Sequence, residues 1–285
     1  MSEPRLGLPI ICRDLFHIYR STEGALVALR GIDLEVDAGS MVALMGASGT
    51  GKSTLLNLMG GLITPSAGTL RIGDYHVSEM SPSAVTTMRA RDVALVLQEP
   101  SANLLSYATA LDNLRWVRRN LGSAIVGAHP PEELLERLGL ASLAHQRVST
   151  MSGGEQQRVA LASAMAGSPR VLLVDEPTSQ LEGDERELVI SLLSSINQDL
   201  GATVVIVTHD DEVAGRIPRT VAIRDGRVAF EIRAGKRYTV VGADRSVQLP
   251  ESSIAGFRRG SLVEISEESA GIVIHQSPGS TEDHP

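Results

Sequence analysis

The sequence predicts an α/β domain on a mostly parallel sheet, with an inserted helical subdomain and a small β-rich C-terminal extension. Three observations lead there. The runs Met41–Met45, Val93–Leu97, Val171–Val174 and Val204–Val207 are apolar throughout, as strands of a parallel sheet covered on both faces tend to be. Helix-patterned stretches lie between them, and strands alternating with helices specify this class. The patterning then changes twice, to helices from about Asn103 and to short β-prone runs after residue 232.

In chain order, Ile10–Tyr19 and Leu26–Val36 alternate apolar and polar around Ser-Thr-Glu-Gly at 21–24, the pattern of a hairpin. Met41–Met45 enters a glycine-rich turn, and Ser53–Met59 reads as the helix after it. Ser66-Ala67-Gly68 turns the chain into a strand at Thr69–Ile72, and Val93–Leu97 follows. Leu111–Arg119 and Pro131–Leu138 are the clearest helices of the inserted stretch, the second opening on Pro130-Pro131, which suits a first turn. With the helix Val159–Met165 the subdomain spans about 103–165. Val171–Val174, a long amphipathic helix at Asp184–Leu200 and Val204–Val207 complete the core. Asp225-Gly226 between Val221–Arg224 and Arg227–Ile232 signals a hairpin. The main domain thus covers 1–232. Residues 233–276, with β-like runs at Tyr238–Gly242, Ser246–Leu249, Leu262–Ile265 and Gly271–His275, form the extension, and 277–285 read as a disordered tail.

Composition narrows the function. The net charge of −8 over 285 residues argues against nucleic acid as a partner of the whole surface. No apolar run nears the roughly 20 residues that cross a bilayer, and the opening fifteen residues have no long apolar stretch behind a basic start, so no secretory signal is expected. Cys12 is the single cysteine, reads as a small buried hydrophobe and suits a reducing compartment. Lysine appears only as Lys52 and Lys236, so nearly all of the 26 basic residues are arginine. One of the two lysines sits in the strongest motif.

That motif is Gly46-Ala47-Ser48-Gly49-Thr50-Gly51-Lys52-Ser53-Thr54, a phosphate-binding loop between a strand and a helix. Its glycines let backbone N–H groups turn toward phosphate oxygens, and the helix N-terminus adds partial positive charge. Lys52 suits the β- and γ-phosphates of ATP, and the Ser53 hydroxyl suits Mg2+. Val171–Val174 leads into Asp175-Glu176, an apolar strand ending in carboxylates: Asp175 for the metal, Glu176 for the attacking water. Met151-Ser152-Gly153-Gly154-Glu155-Gln156-Gln157-Arg158 supplies a second anion-binding helix start. A nucleotide cradled by Lys52 does not need it, so its sensible use is on a γ-phosphate held by another subunit.

With these motifs in this order, residues 8 to 232 resemble the nucleotide-binding subunits of ABC transporters. The resemblance implies the P-loop fold of those ATPases, ATP hydrolysis, and a head-to-tail dimer of two copies with an ATP in each interface. It also implies an integral membrane permease as partner, and thereby a place at the cytoplasmic face of the membrane. It casts Gln98 as a contact to Mg2+ and the lytic water, His209 as the γ-phosphate switch, Tyr19 as the aromatic stacked on adenine, and Ser152, Gly153, Gly154 and Glu155 as the segment facing the other copy's nucleotide. Read alone, Gln98 is a strand-end polar group, His209 a surface histidine and Tyr19 a core aromatic. Two positions depart from the family: Glu182 stands in place of aspartate in Ser179-Gln180-Leu181-Glu182, and Ser163 replaces a usual arginine. Neither is a phosphate or metal ligand, so hydrolysis is expected to survive.

Val27–Asp33, Leu55–Leu62 and Ile223–Arg227 are similar to the lipoprotein-release and macrolide-efflux ATPases, the LolD and MacB types, which drive permeases with few membrane helices. Alternatives are an FtsE-like regulator of cell-wall hydrolysis through an FtsX-like partner, a soluble non-transport ABC ATPase, and a nucleotide-binding module without turnover. The segments Gly242–Pro250 and Phe257–Ile265 are faintly similar to AbrB-type swapped hairpins; the plainer reading is a β-extension packed on the ATPase or its twin.

Overall fold

The computed structural model describes residues 6–22, 24–121, 129–179, 181, 183–242, 246–249, 263–268 and 271–276. It divides into two compact units, Met1–Ser246 and Val247–Pro285.

In the first unit, β1 (Ile10–Ser21) and β2 (Gly24–Val36) form the expected hairpin, paired from Ile10↔Val36 to Ser21↔Gly24. With β4 (Ala67–Ile72) and β5 (Tyr75–His76) they make a four-stranded antiparallel sheet in the order β2-β1-β4-β5. The second sheet holds β3 (Met41–Met45), β6 (Val93–Val96), β7 (Val171–Asp175), β8 (Thr203–Thr208), β9 (Arg219–Arg224), β10 (Arg227–Arg233) and β11 (Lys236–Thr239). Its order is β11-β10-β9-β3-β8-β7-β6. The pairs β9–β3, β3–β8, β8–β7 and β7–β6 are parallel, and the far edge is antiparallel.

Alternation sorts each central strand between two cores. Met41, Leu172, Val174, Val204 and Ile206 face one apolar cluster, while Val42, Leu44, Val171, Leu173, Val205 and Val207 face the other. The first cluster is closed by α3 (Ala110–Leu121), α4 (Pro131–Arg137), α5 (Gly153–Met165) and α6 (Gly183–Leu200). The second is closed by α1 (Lys52–Met59) and the antiparallel sheet, through Leu55, Leu56, Leu58, Ile10, Leu34 and Ile72. A period of two with both faces buried produces strands apolar at every position.

Three differences from the sequence reading have physical causes. Helix α2 (Pro82–Arg91) was not expected, yet its start is plain: Ser81 Oγ accepts from the Ala84 N–H at 3.3 Å and Pro82 takes the first turn. Helix α5 begins at Gly153, at the helix start read from Ser152-Gly153-Gly154 but six residues before the patterned stretch Val159–Met165, because a capping box outweighs the poor helix propensity of two glycines. Beyond residue 232, where the sequence reading begins the extension, the chain turns at Ala234-Gly235 (φ 47° and 73°) and adds β11 to the main sheet. The other short helix, α7 (Asp211–Gly215), follows β8.

The second unit contains the hairpin β12 (Val263–Glu268) and β13 (Gly271–Gln276), paired Ile265↔Ile274. Gln180, Glu182, residues 243–245 and 250 of the segment Gly242–Pro250, residues 257–262 of the segment Phe257–Ile265, and the tail 277–285 lie outside the described residues.

Candidate active site

The strand order places the chemistry. Neighbouring parallel strands β3, β8, β7 and β6 end side by side, so the segments after their carboxyl ends form one row: the loop 46–51, His209, Glu176 and Gln98. Ligands of open α/β sheets bind at that edge.

The loop is glycine-built for steric reasons. Gly46 has φ 152° and Gly51 φ 101°, and a Cβ at either would meet carbonyl oxygen, Ile223 O at 2.2 Å or Ala28 O at 2.6 Å. Gly51 is the N-cap of α1, and no side chain caps it, which leaves the first-turn N–H groups facing the cleft. Lys52 folds back over the loop, its Nζ donating to Gly46 O at 2.7 Å and Ala47 O at 2.8 Å. Burial pulls its pKa below the ordinary lysine value, against the opposing pull of Glu176 and Asp175.

Ser53 Oγ donates to Asp175 Oδ1 at 3.3 Å, joining residues 122 positions apart. Burial pushes the Asp175 carboxyl above the usual range, a rise that the Ser53 hydrogen bond and Lys52 oppose. Glu176 is buried and held in the left-handed region at φ 49°, with its N–H on Val207 O at 2.9 Å. For a non-glycine residue such backbone is strained by about 1–3 kcal/mol, and functional sites concentrate it. Glu176 Oε1 lies 2.8 Å from His209 Nδ1, whose ring is largely exposed. Gln98 sits in a loop pinned by Asn103, which accepts from the Leu97 N–H at 2.9 Å and donates to Leu97 O and Glu99 O at 2.8 and 3.0 Å. Tyr19 is 41% exposed, and its hydroxyl lies 3.3 Å from Thr54 Oγ1.

Together these residues line a cleft of about 570 Å³, with Tyr19, Ala47, Ser48, Gly49, Gly51, Lys52, Ser53, Thr54, Gln98, Glu176 and His209 on its walls. Leu26, Val27 and Ala28 complete it beside Tyr19, and no motif in the sequence points to them for the site. Hairpin register was the available signal, since Leu26 lies directly opposite Tyr19. Ser152, Gly153, Gly154 and Glu155 are not among the lining residues. They start α5 instead, where Ser152 Oγ accepts from the Glu155 N–H and Glu155 Oε2 accepts from the Ser152 N–H at 2.8 Å. The molecule therefore brings the phosphate loop, carboxylates, Gln98 and His209 together and leaves the Ser-Gly-Gly segment outside their cleft.

The family model described as ABC transporter matches residues 29–179. The chain belongs to the ABC transporter family. Within it, this ABC chain is 40% identical over 224 residues to the lipoprotein-releasing system ATP-binding protein LolD of Geobacter metallireducens, covering 76% of this chain and 96% of that one. It is 41% identical over 205 residues to LolD of Anaeromyxobacter dehalogenans, covering 71% and 85%. The macrolide export ATP-binding/permease protein MacB 1/2 of Paracoccus denitrificans is 40% identical over 232 residues, 80% of this chain but 34% of the relative. This ABC chain thus spans about a third of the macrolide-export relatives and nearly all of the first LolD. A solved dimeric ATP-binding cassette, in a post-hydrolysis state bound to ADP and Pi, superposes with TM-score 0.73 at 31% identity, covering 79% of this chain and 98% of that one.

Proposed function

We propose that two copies of this chain sandwich two ATP molecules head-to-tail and hydrolyse them to drive a membrane permease of the lipoprotein-release or macrolide-export type. The observation that carries this reading is the split just described: Lys52, Ser53, Gln98, Glu176 and His209 line one cleft, with Asp175 joined to it through Ser53, while the Ser152–Gly154 helix start is not among the residues lining it. A second copy resolves the split, each copy's Ser152–Gly154 capping the γ-phosphate held by the other's loop.

In the mechanism the backbone N–H groups of 47–52 surround the β- and γ-phosphates, and the Lys52 ammonium leaves Gly46 O and Ala47 O for their oxygens. Anionic phosphates would favour its charged form, countering the burial that lowers its pKa. The donor set suits Mg2+: Ser53 Oγ and the Asp175 carboxylate are oxygen donors 3.3 Å apart, with Gln98 on the same cleft. Ser53, Asp175 and Gln98 would hold the ion, which when bound would supply neutralisation of the charge on the phosphates. Glu176 orients the attacking water and accepts its proton as the oxygen bonds to the γ-phosphorus and the bond to the β-phosphate oxygen breaks. His209, now on the Glu176 carboxylate, turns to the γ-phosphate and so reports its presence. Tyr19 stacks on adenine.

Among the described residues no helix is long and apolar enough to cross a membrane, and we assign the chain to the cytoplasmic face through its permease. A second cavity of about 440 Å³ between β6, α2, α3 and α5, lined by Arg89, Leu95, Trp116 and Ser163, suits the permease's contact. It adjoins Leu97 and Asn103, which hold the Gln98 loop, so docking and chemistry share a segment. The test is Glu176→Gln: it is expected to bind ATP, lose turnover by at least about a hundredfold and accumulate as an ATP-bound dimer in size-exclusion chromatography with light scattering. Normal phosphate release by that variant would refute the assignment.

A further inference from the structure

His17 is a buried histidine whose position no hydrogen bond explains. It is 8% exposed, and its Nδ1 has no hydrogen-bond partner among the described residues. A buried polar atom without a partner is a cost that an aliphatic side chain of similar size would not carry. The ring's visible engagement is with Tyr19: the centroids are 4.6 Å apart and the planes meet at 80°, an edge-to-face pair. Thr54, in the first turn of the phosphate-loop helix, meets the opposite end of Tyr19 at its hydroxyl, 3.3 Å away. The Tyr19 ring is partly exposed on the cleft and has Leu26 opposite it across the hairpin. A ring so exposed would sample several rotamers unless something held it, and binding would then carry the cost of ordering it.

We propose that His17 is a positioning residue for recognition of the nucleotide base: its ring, with the Thr54 hydroxyl, holds the Tyr19 phenol ready for the base to stack on. This rests on the reading of Tyr19 as the base-stacking residue and adds the group that acts through it. Edge-to-face geometry needs an aromatic at 17 but no charge or hydrogen bond there. Phenylalanine should therefore serve and leucine should not.

Calorimetric titration of the full chain with ADP and with inorganic pyrophosphate separates the possibilities, because pyrophosphate has no base. His17→Ala is expected to weaken ADP about two- to tenfold, the span of one aromatic pair, and to leave pyrophosphate unchanged. His17→Phe should stay within about twofold of the parent. Tyr19→Ala should weaken ADP and make a further His17→Ala change silent. Where the alanine variant does not fold, His17→Leu keeps the volume and lacks the ring. Equal losses for both ligands, additive losses in the double variant, or a His17→Phe as weak as His17→Leu would each overturn the proposal. A silent His17→Ala beside a weakened Tyr19→Ala overturns it and spares the base stack; a silent Tyr19→Ala removes both.

Discussion

The phosphate loop's glycines differ in what they protect. Gly51 has φ 101° and a Cβ there would lie 2.6 Å from the backbone oxygen of Ala28, whereas Gly49, at φ 80°, has nothing within 4 Å of its Cβ position. Alanine at 49 meets only the left-handed penalty of about 1–2 kcal/mol. At 51 it must also push apart the α1 N-terminus and β2. Thermal unfolding should rank Gly51→Ala clearly below Gly49→Ala, with ADP affinity lost at 51 and partly kept at 49; equal melting temperatures would contradict the steric account. Residue chemistry also decided what was legible. Asp225-Gly226 reads as a turn and has both residues at positive φ, 48° and 74°. Ala234-Gly235 makes the same turn unannounced, since alanine pays a penalty there that aspartate partly avoids. Glu176 at φ 49° is likewise invisible in a sequence, because glutamate has no preference for that conformation.

Among the elements, α5 is where stability and the proposed function meet, at its N-cap Ser152. Ser152 caps the helix through the Glu155 N–H, and Glu155 closes the box on the Ser152 N–H. Ser152→Ala should cost about 1 kcal/mol of stability, as lost caps do. If the same hydroxyl serves the other copy's γ-phosphate, turnover should fall by far more than that, about tenfold or beyond, with ADP affinity of the isolated chain unchanged. Parallel measurement of unfolding and phosphate release checks this, and equal small losses in both would leave Ser152 a cap alone. The Ser-Gly-Gly motif marks the helix start in the sequence, while the apolar pattern by itself places helix only from Val159, because the box that holds Gly153 and Gly154 in the helix depends on side chains three residues apart. Helices α1, α3, α4 and α6 were legible within a residue or two, since an apolar stripe records which face is buried.

For the whole molecule, the two sheets are stitched at one edge by an ion cluster around the buried Glu231 carboxylate. Arg219 on β9 bonds both Glu231 oxygens on β10, at 2.7 and 3.1 Å, and reaches Glu35 O on β2, while Arg233 adds a 2.7 Å contact to Glu231. Burial raises the Glu231 pKa, but hydrogen bonds from Arg219 and Arg233 outweigh it and hold the carboxyl below its usual value. A depressed folded pKa stabilises above the unfolded value, near 4.3, and that stability is lost as pH falls through the folded one. Glu231→Gln should cost about 3 kcal/mol at pH 7, as breaking buried pairs does. Its unfolding free energy should approach the parent's below about pH 4. A constant gap from pH 7 to pH 3 would mean that the charge is not what stabilises.

By itself the sequence determined the fold class, the phosphate loop, the paired carboxylates and the Ser-Gly-Gly helix start, because each is written in consecutive residues whose turns, caps and burial periods are local properties of the chain. Tertiary structure alone decided which of them meet. Ser53 finds Asp175, Glu176 finds His209, His17 turns its ring to Tyr19 and Arg219 ties two sheets. The order β3-β8-β7-β6 lines up strand ends far apart in sequence, and that order follows from how the apolar faces of all the strands and helices are buried together. No short stretch of chain carries that information.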